Sequence, residues 1–177
     1  MIKIIFVCHG NICRSPMAEY IMKYLVNEYG LQNEVFITSG ATSTEALGCN
    51  IYSPARRELE KHNIPFGKHS AKQISAIDYY KYDYIIVMDD MNYYNALKIF
   101  KDKDEDKKVI KLLDFTENSG EIADPWYTGN FGEAYNQIYN GCNALAKKLK
   151  EAVSRGTHAV KRFGNKELLS SIQINRE

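Results

Sequence analysis

Ile2, Ile4, Ile5, Phe6 and Val7 crowd the start of the chain with only Lys3 among them, an apolar run without polar alternation. Such a run fits a strand covered on both faces, as in a parallel sheet. Beyond it the period lengthens. Met17, Tyr20, Ile21, Tyr24 and Leu25 recur at the spacing of one helix face, with Ser15 and Pro16 placed as N-cap and first helical residue and Gly30 placed to end the helix. The alternation then repeats: strands are expected at 35–38, 84–88 and 109–113, and helices from Ser53-Pro54, over about 91–100 and over about 131–150. Strands alternating with helices predict an α/β fold built on a four-stranded parallel sheet with helices on both faces. Ligands bind such sheets beyond the carboxyl ends of the strands.

At 177 residues and 45% hydrophobic, the chain suits one well-cored domain, expected over residues 1–153. From Ser154 to Glu177 the composition turns polar and basic and reads as a C-terminal tail, flexible or foreign to the native protein, in which 167–174 could still form a short docked helix. The run K-D-K-D-E-D-K-K at 101–108 reads as a solvated loop. With 23 Lys and Arg against 22 Asp and Glu, no global field favours nucleic acid or an anionic membrane, so anion binding must be local. The opening residues lack the features of a secretory signal, and no stretch reaches the ~18 apolar residues that span a bilayer. A soluble, cytoplasmic protein without membrane insertion is expected. Cys8, Cys13, Cys49 and Cys142 have no paired C-x-x-C spacing for a metal and are too sparse for a disulfide scaffold. Thiol chemistry is what remains for them.

The first strand runs into C-H-G-N-I-C-R-S-P. A loop passing from strand to helix aims successive main-chain N–H groups at one point, and the helix N-terminus adds roughly half a positive charge. That is an anion cradle. The G-x-x-x-x-G-K-[ST] pattern of nucleotide-binding loops is absent, no lysine lies in the loop, and a cysteine opens it. A cradle of this kind stabilises a thiolate as well as a phosphate, and the planar fork of Arg14 can hold two phosphate oxygens at once. The residues themselves therefore point to thiol-based phosphoryl chemistry. The plainer alternative is a buried strand-end cysteine, a surface arginine and an ordinary helix start. Downstream, D-P-W-Y at 124–127 reads on its own as a turn, and Asp89 as either a helix N-cap or a support for the loop.

V-C-H-G-N-I-C-R-S-P-M-A-E resembles the signature of the low-molecular-weight protein tyrosine phosphatases. The likeness continues in family order through T-S-G-A-T-S at 38–43, H-N-I-P at 62–65, H-S-A-K-Q-I at 69–74, Y-D-Y-I-I-V-M-D at 82–89 and D-P-W-Y-T-G at 124–129, covering about residues 1–150. The resemblance implies a doubly wound, Rossmann-like sheet of the phosphatase I type. It implies hydrolysis of phosphotyrosine through a phosphocysteine on Cys8, with Arg14 as phosphate clamp and Asp124 as general acid and then base. The phosphate-binding loop would comprise His9, Gly10, Asn11, Ile12, Cys13, Arg14 and Ser15. Ser15 would hydrogen-bond the thiolate, and Asn11, Ser39 and His69 would hold the loop backbone. Trp126 and Tyr127 would wall a slot deep enough for an aromatic phosphoester, with Glu45 on the opposite wall. Cys13 would be a redox partner for Cys8, its plainer role being to fill the underside of the loop. No metal or cofactor is implied. The implied partners are phosphotyrosine proteins or peptides and small aryl phosphates, met by a monomer or weak dimer.

Two positions depart from the family. His9 stands where leucine or threonine is common, and Glu45 lies in a stretch that often carries an aromatic. Three rival readings exist. Arsenate reductases of this fold need redox cysteines in the region of residues 80–90, which has none. Protein-arginine phosphatases tend to have threonine where Ile12 stands and lack the paired aromatics after Asp-Pro. A non-catalytic phosphate-binding interaction module is the third, and its mark would be loss of Cys8, Arg14 or Asp124, all of which are present.

Overall fold

The computed structural model describes residues 1–155. Apart from Ser154 and Arg155, the expected tail and its short helix lie outside the described residues. The order is β1 (Ile2–Cys8), α1 (Arg14–Glu28), β2 (Val35–Ala41), α2 (Ser53–Lys61), α3 (Asp78–Lys81), β3 (Tyr84–Val87), α4 (Asp90–Ile99), β4 (Val109–Lys111), a 3₁₀ turn (Leu112–Phe115), α5 (Pro125–Thr128) and α6 (Phe131–Ser154). The strands are parallel in the order β2-β1-β3-β4. The chain leaves β1 for β2 on one side and then crosses back to β3 on the other, so the winding reverses at β1. The expected doubly wound sheet is thus present, with its switch point at the end of the strand that carries Cys8.

The apolar run of β1 is divided between two cores. Ile2, Ile4, Phe6 and Cys8 face the larger one, with Met17 and Ile21 of α1, Leu59 of α2 and Ile138 and Leu145 of α6. Ile5 and Val7 face the other, with Tyr79 of α3, Ala96 of α4 and Phe100. Each fully buried side chain of this size stabilises the fold by roughly 1.5–3 kcal/mol relative to exposure. Both faces are covered, which is why the strand shows no polar alternation.

Several local expectations change. β2 runs on to Ala41, which pairs with Cys8. Ser39 and Gly40 are weak strand formers, but a Cβ at Gly40 would lie 2.7 Å from Ile74 Cγ2, so close packing selects glycine there. Ser15 is not an N-cap: α1 starts at Arg14, after Cys13, and no side chain caps it. The Ser15 hydroxyl turns into the loop instead. β4 gives way after Lys111 to the 3₁₀ turn, and α3 and α5 are single turns too short to leave a periodic signature. The charged run at 101–108 is also not wholly solvated. Asp104, 9% exposed, accepts from Lys108 N at 2.8 Å and Val109 N at 3.2 Å, closing the turn that feeds β4. Among the described residues no helix is long and apolar enough to cross a membrane.

Candidate active site

The carboxyl end of β1 opens into a cleft of about 240 Å³. It is lined by the loop from Cys8 through His9, Gly10, Ile12 and Cys13 to Arg14, by Glu45 and Ala46 after β2, and by Asp124, Trp126 and Tyr127. Residues more than 110 positions apart in sequence therefore share one cavity. Among the described residues, no main-chain N–H of residues 9–14 donates to a main-chain oxygen. Donors left without protein partners at a helix N-terminus suit an oxyanion.

Asn11 holds the loop in shape. Its φ of 56° is left-handed, a conformation asparagine tolerates better than most residues. The side chain is fully buried, and its Nδ2 donates to Ser15 Oγ at 2.8 Å and Ser39 Oγ at 2.9 Å, while Oδ1 accepts from Lys72 N at 3.2 Å. His69 Nε2 donates to the Asn11 carbonyl across 2.7 Å, which fixes the hydrogen on that nitrogen because a carbonyl only accepts. The three expected supports, Asn11, Ser39 and His69, thus meet behind the loop. Glu19, to which the sequence reading gave no role, completes the set. It is 8% exposed, accepts from Ser39 Oγ and from Lys23 Nζ, each at 2.5 Å, and so anchors Ser39 to α1. Its sequence signal was the glutamate of M-A-E together with a lysine one turn on.

Ser15 Oγ lies 3.1 Å from Cys8 Sγ and 3.3 Å from the Gly40 carbonyl. With Asn11 donating into one of its lone pairs, its single hydrogen remains for the sulfur or for that carbonyl. A thiol at Cys8 donates to Oγ; a thiolate receives the serine hydrogen instead. Cys13 lines the same cleft with a thiol pushed up to about 12, first by burial and then by the charges of Cys8 and Asp124, against the pull of Arg14. That thiol stays protonated at neutral pH.

Arg14 is among the largest fully buried side chains of the described residues, 2% exposed. Its Nη1 donates to Asp89 Oδ2 at 2.6 Å and to the Ile122 carbonyl at 2.8 Å, and its Nη2 donates to Asp124 Oδ2 at 3.2 Å. Burial by itself would lower its pKa, but Cys8, Asp124 and Asp89 outweigh that and raise it, so the guanidinium is always charged. Asp89 serves both roles left open for it: Oδ2 orients Arg14, and Oδ1 caps α4 by accepting from Asn92 N at 2.7 Å. Asp124 is N-cap of α5 and accepts from Trp126 N at 3.1 Å. The Asp-Pro turn and the carboxyl in the cleft lining are one feature.

Trp126 rests on Tyr52, ring centroids 4.9 Å apart, and Tyr52 on Phe131 at 5.9 Å. Tyr52 also donates its main-chain N–H to the Ile12 carbonyl at 2.8 Å, tying this aromatic wall to the loop. It stands outside every quoted motif and was missed. His9 Nε2 and Glu45 Oε2, both in the cleft lining, are 2.9 Å apart. Among the described residues no group of three or more His, Cys, Asp or Glu side chains is placed to hold a metal ion.

Comparison with known proteins agrees with the fold. The chain is 35% identical over 153 residues to the low molecular weight protein-tyrosine-phosphatase YfkJ of Bacillus subtilis, covering 85% of this chain and 97% of that one. The crystal structure of YfkJ superposes with a TM-score of 0.82 over 85% of this chain and 96% of YfkJ. SP-PTP, a low molecular weight protein tyrosine phosphatase from Streptococcus pyogenes, is 37% identical with a TM-score of 0.74 over 84% of this chain and 93% of its own. DARP, a Drosophila arginine phosphatase, is 29% identical with a TM-score of 0.75 over 84% and 98%. The family model for low molecular weight phosphotyrosine protein phosphatase matches residues 3–155, and the chain belongs to that family of hydrolases.

Proposed function

We propose that the protein hydrolyses phosphotyrosine in proteins and peptides, and small aryl phosphates, through a covalent phosphocysteine on Cys8. The observation that carries this reading is the cleft itself, where Cys8, Arg14 and Asp124 meet above main-chain N–H groups with no protein acceptor. In the first step the Cys8 thiolate attacks phosphorus. The S–P bond forms, the bond from phosphorus to the phenolic oxygen breaks, and its electron pair stays on that oxygen, which takes the proton of Asp124. Arg14 and the loop amides hold the non-bridging oxygens and stabilise their charge in the transition state. In the second step the Asp124 carboxylate takes a proton from water, the water oxygen attacks phosphorus, and the S–P bond breaks. Ser15 donates its hydrogen to the departing thiolate, and inorganic phosphate leaves.

Specificity for an aromatic ester would come from Trp126 and Tyr127, which line the cleft together with Cys8 and offer ring faces that an aryl ester can meet and phosphoserine cannot. Hydrolysis of p-nitrophenyl phosphate, a phosphotyrosine peptide and phosphoarginine by wild type and Cys8→Ser tests the reading. Turnover of the two aryl esters, abolished by Cys8→Ser, is expected; preference for phosphoarginine would instead assign the rival activity.

A further inference from the structure

The cleft has a charged rim that the phosphoryl chemistry does not use. Glu45 is 75% exposed and lines the same cleft as Cys8, Trp126 and Tyr127. Its position is built rather than free. Ser43 donates its main-chain N–H to the His9 carbonyl at 3.0 Å, Thr42 donates to the Cys8 carbonyl at 2.9 Å, and Glu45 N donates to Ser43 Oγ at 3.4 Å. His9 Nε2 then reaches Glu45 Oε2 across 2.9 Å, and because a carboxylate only accepts, the histidine is the donor. The segment after β2 is thus pinned to the catalytic loop at both main chain and side chain.

The other charges at the cleft are engaged. Arg14 is 2% exposed and bonded to Asp89 and Asp124, and a phosphate would take up what remains of its fork. Glu45 is an exposed carboxylate in the lining of the cleft, so a peptide whose phosphotyrosine enters that cleft would bring its flanking residues near it. We propose that the His9–Glu45 pair is a specificity element that reads flanking charge, favouring phosphotyrosine beside lysine or arginine and disfavouring it beside aspartate or glutamate. The inference rests on the phosphotyrosine reading above and adds a substrate class to it.

Unit charges about 7 Å apart at a wet surface differ by a few-fold in binding, and exchanging a basic for an acidic flank counts the effect twice, for a ratio of about 3- to 10-fold. The test compares kcat/KM for two phosphotyrosine peptides alike except for lysine or glutamate on both sides of the phosphotyrosine. The ratio is taken within each enzyme, so any change in overall rate cancels. Wild type should prefer the lysine peptide by about 3- to 10-fold, Glu45→Gln should bring the ratio close to one, and Glu45→Lys should invert it. At high salt the wild-type ratio should shrink, since exposed charges are screened. Equal rates for both peptides in wild type, or a ratio that Glu45→Lys leaves in place, overturns the rim assignment while phosphotyrosine hydrolysis stands. Failure of wild type to hydrolyse either peptide or p-nitrophenyl phosphate overturns the underlying reading and the inference with it.

Discussion

Arg14 donates through Nη2 to Asp124 Oδ2 across 3.2 Å, joining the two sides of the cleft although 110 residues separate them in sequence. In the proposed mechanism, a phosphate held by the same fork would compete for that nitrogen and free the Asp124 carboxyl for the leaving group, coupling clamp to acid. Arg14→Lys keeps a charge but loses the planar fork, and should lower kcat on p-nitrophenyl phosphate at least about 100-fold and weaken inhibition by inorganic phosphate. A variant within threefold of wild type would show that the fork is not used.

Asp124→Asn removes the proton donor while leaving an acceptor for Trp126 N. Its effect should depend on the ester. For p-nitrophenyl phosphate, whose leaving group is stable as an anion, the fall should be modest; for phenyl phosphate or phosphotyrosine it should be about 10²- to 10⁴-fold. Equal falls for good and poor leaving groups would argue against Asp124 as the acid.

Glu19 supports the loop without touching the cleft. Glu19→Ala leaves Ser39 Oγ without its acceptor in a buried site, and should cost about 1–3 kcal/mol of stability by urea titration. Because Ser39 and Asn11 share a hydrogen bond, the loop should also loosen, lowering kcat more than it changes KM. Glu19→Gln, which keeps an acceptor, should recover most of the activity. No recovery would show that the charge, not the hydrogen bond, is required.

The buried thiols and phenols give stability a direction with pH. Cys13, Tyr84 and Tyr135 are pushed up to about 12, chiefly by burial, and burial raises fully buried Cys142 as well. In the unfolded chain thiols ionise near ~8.5 and phenols near ~10. The folded protein therefore holds protons that the unfolded chain releases, so this contribution is intact below about pH 8 and is lost as pH rises toward 12. Each group adds a slope of up to about 1.4 kcal/mol per pH unit within its window. The urea midpoint should fall between pH 8 and pH 10, and less steeply in Cys142→Ala. A midpoint that rises over that range would contradict the assignment.

The fold was readable because both faces of the sheet are covered, so β1 and β3 are continuous apolar runs, while α2 and α6 are amphipathic. The exceptions have local causes. β2 ends in Ser39-Gly40-Ala41, poor strand formers kept there by the approach of Ile74 and by the hydrogen bonds of Ser39. Ser15 has the residue type of an N-cap, but Asn11 and Cys8 take its hydroxyl. Cys8 and Arg14 were legible as anion chemistry from one loop. Asp124 was not, since nothing in D-P-W-Y separates an acid from a turn until the fold brings it to Arg14; the resemblance supplied it. Tyr52 and Glu19 act through contacts that only the folded chain makes.

The covalent intermediate is the centre of the proposed chemistry. The direct measurement is to mix the protein with a phosphotyrosine peptide, quench in acid within the first turnovers, and map the modified residue by mass spectrometry. The prediction is one phosphate per chain on Cys8, absent from Cys8→Ser and transient in wild type. Turnover with no phosphate on Cys8 at any time, or undiminished turnover by Cys8→Ser, would contradict it.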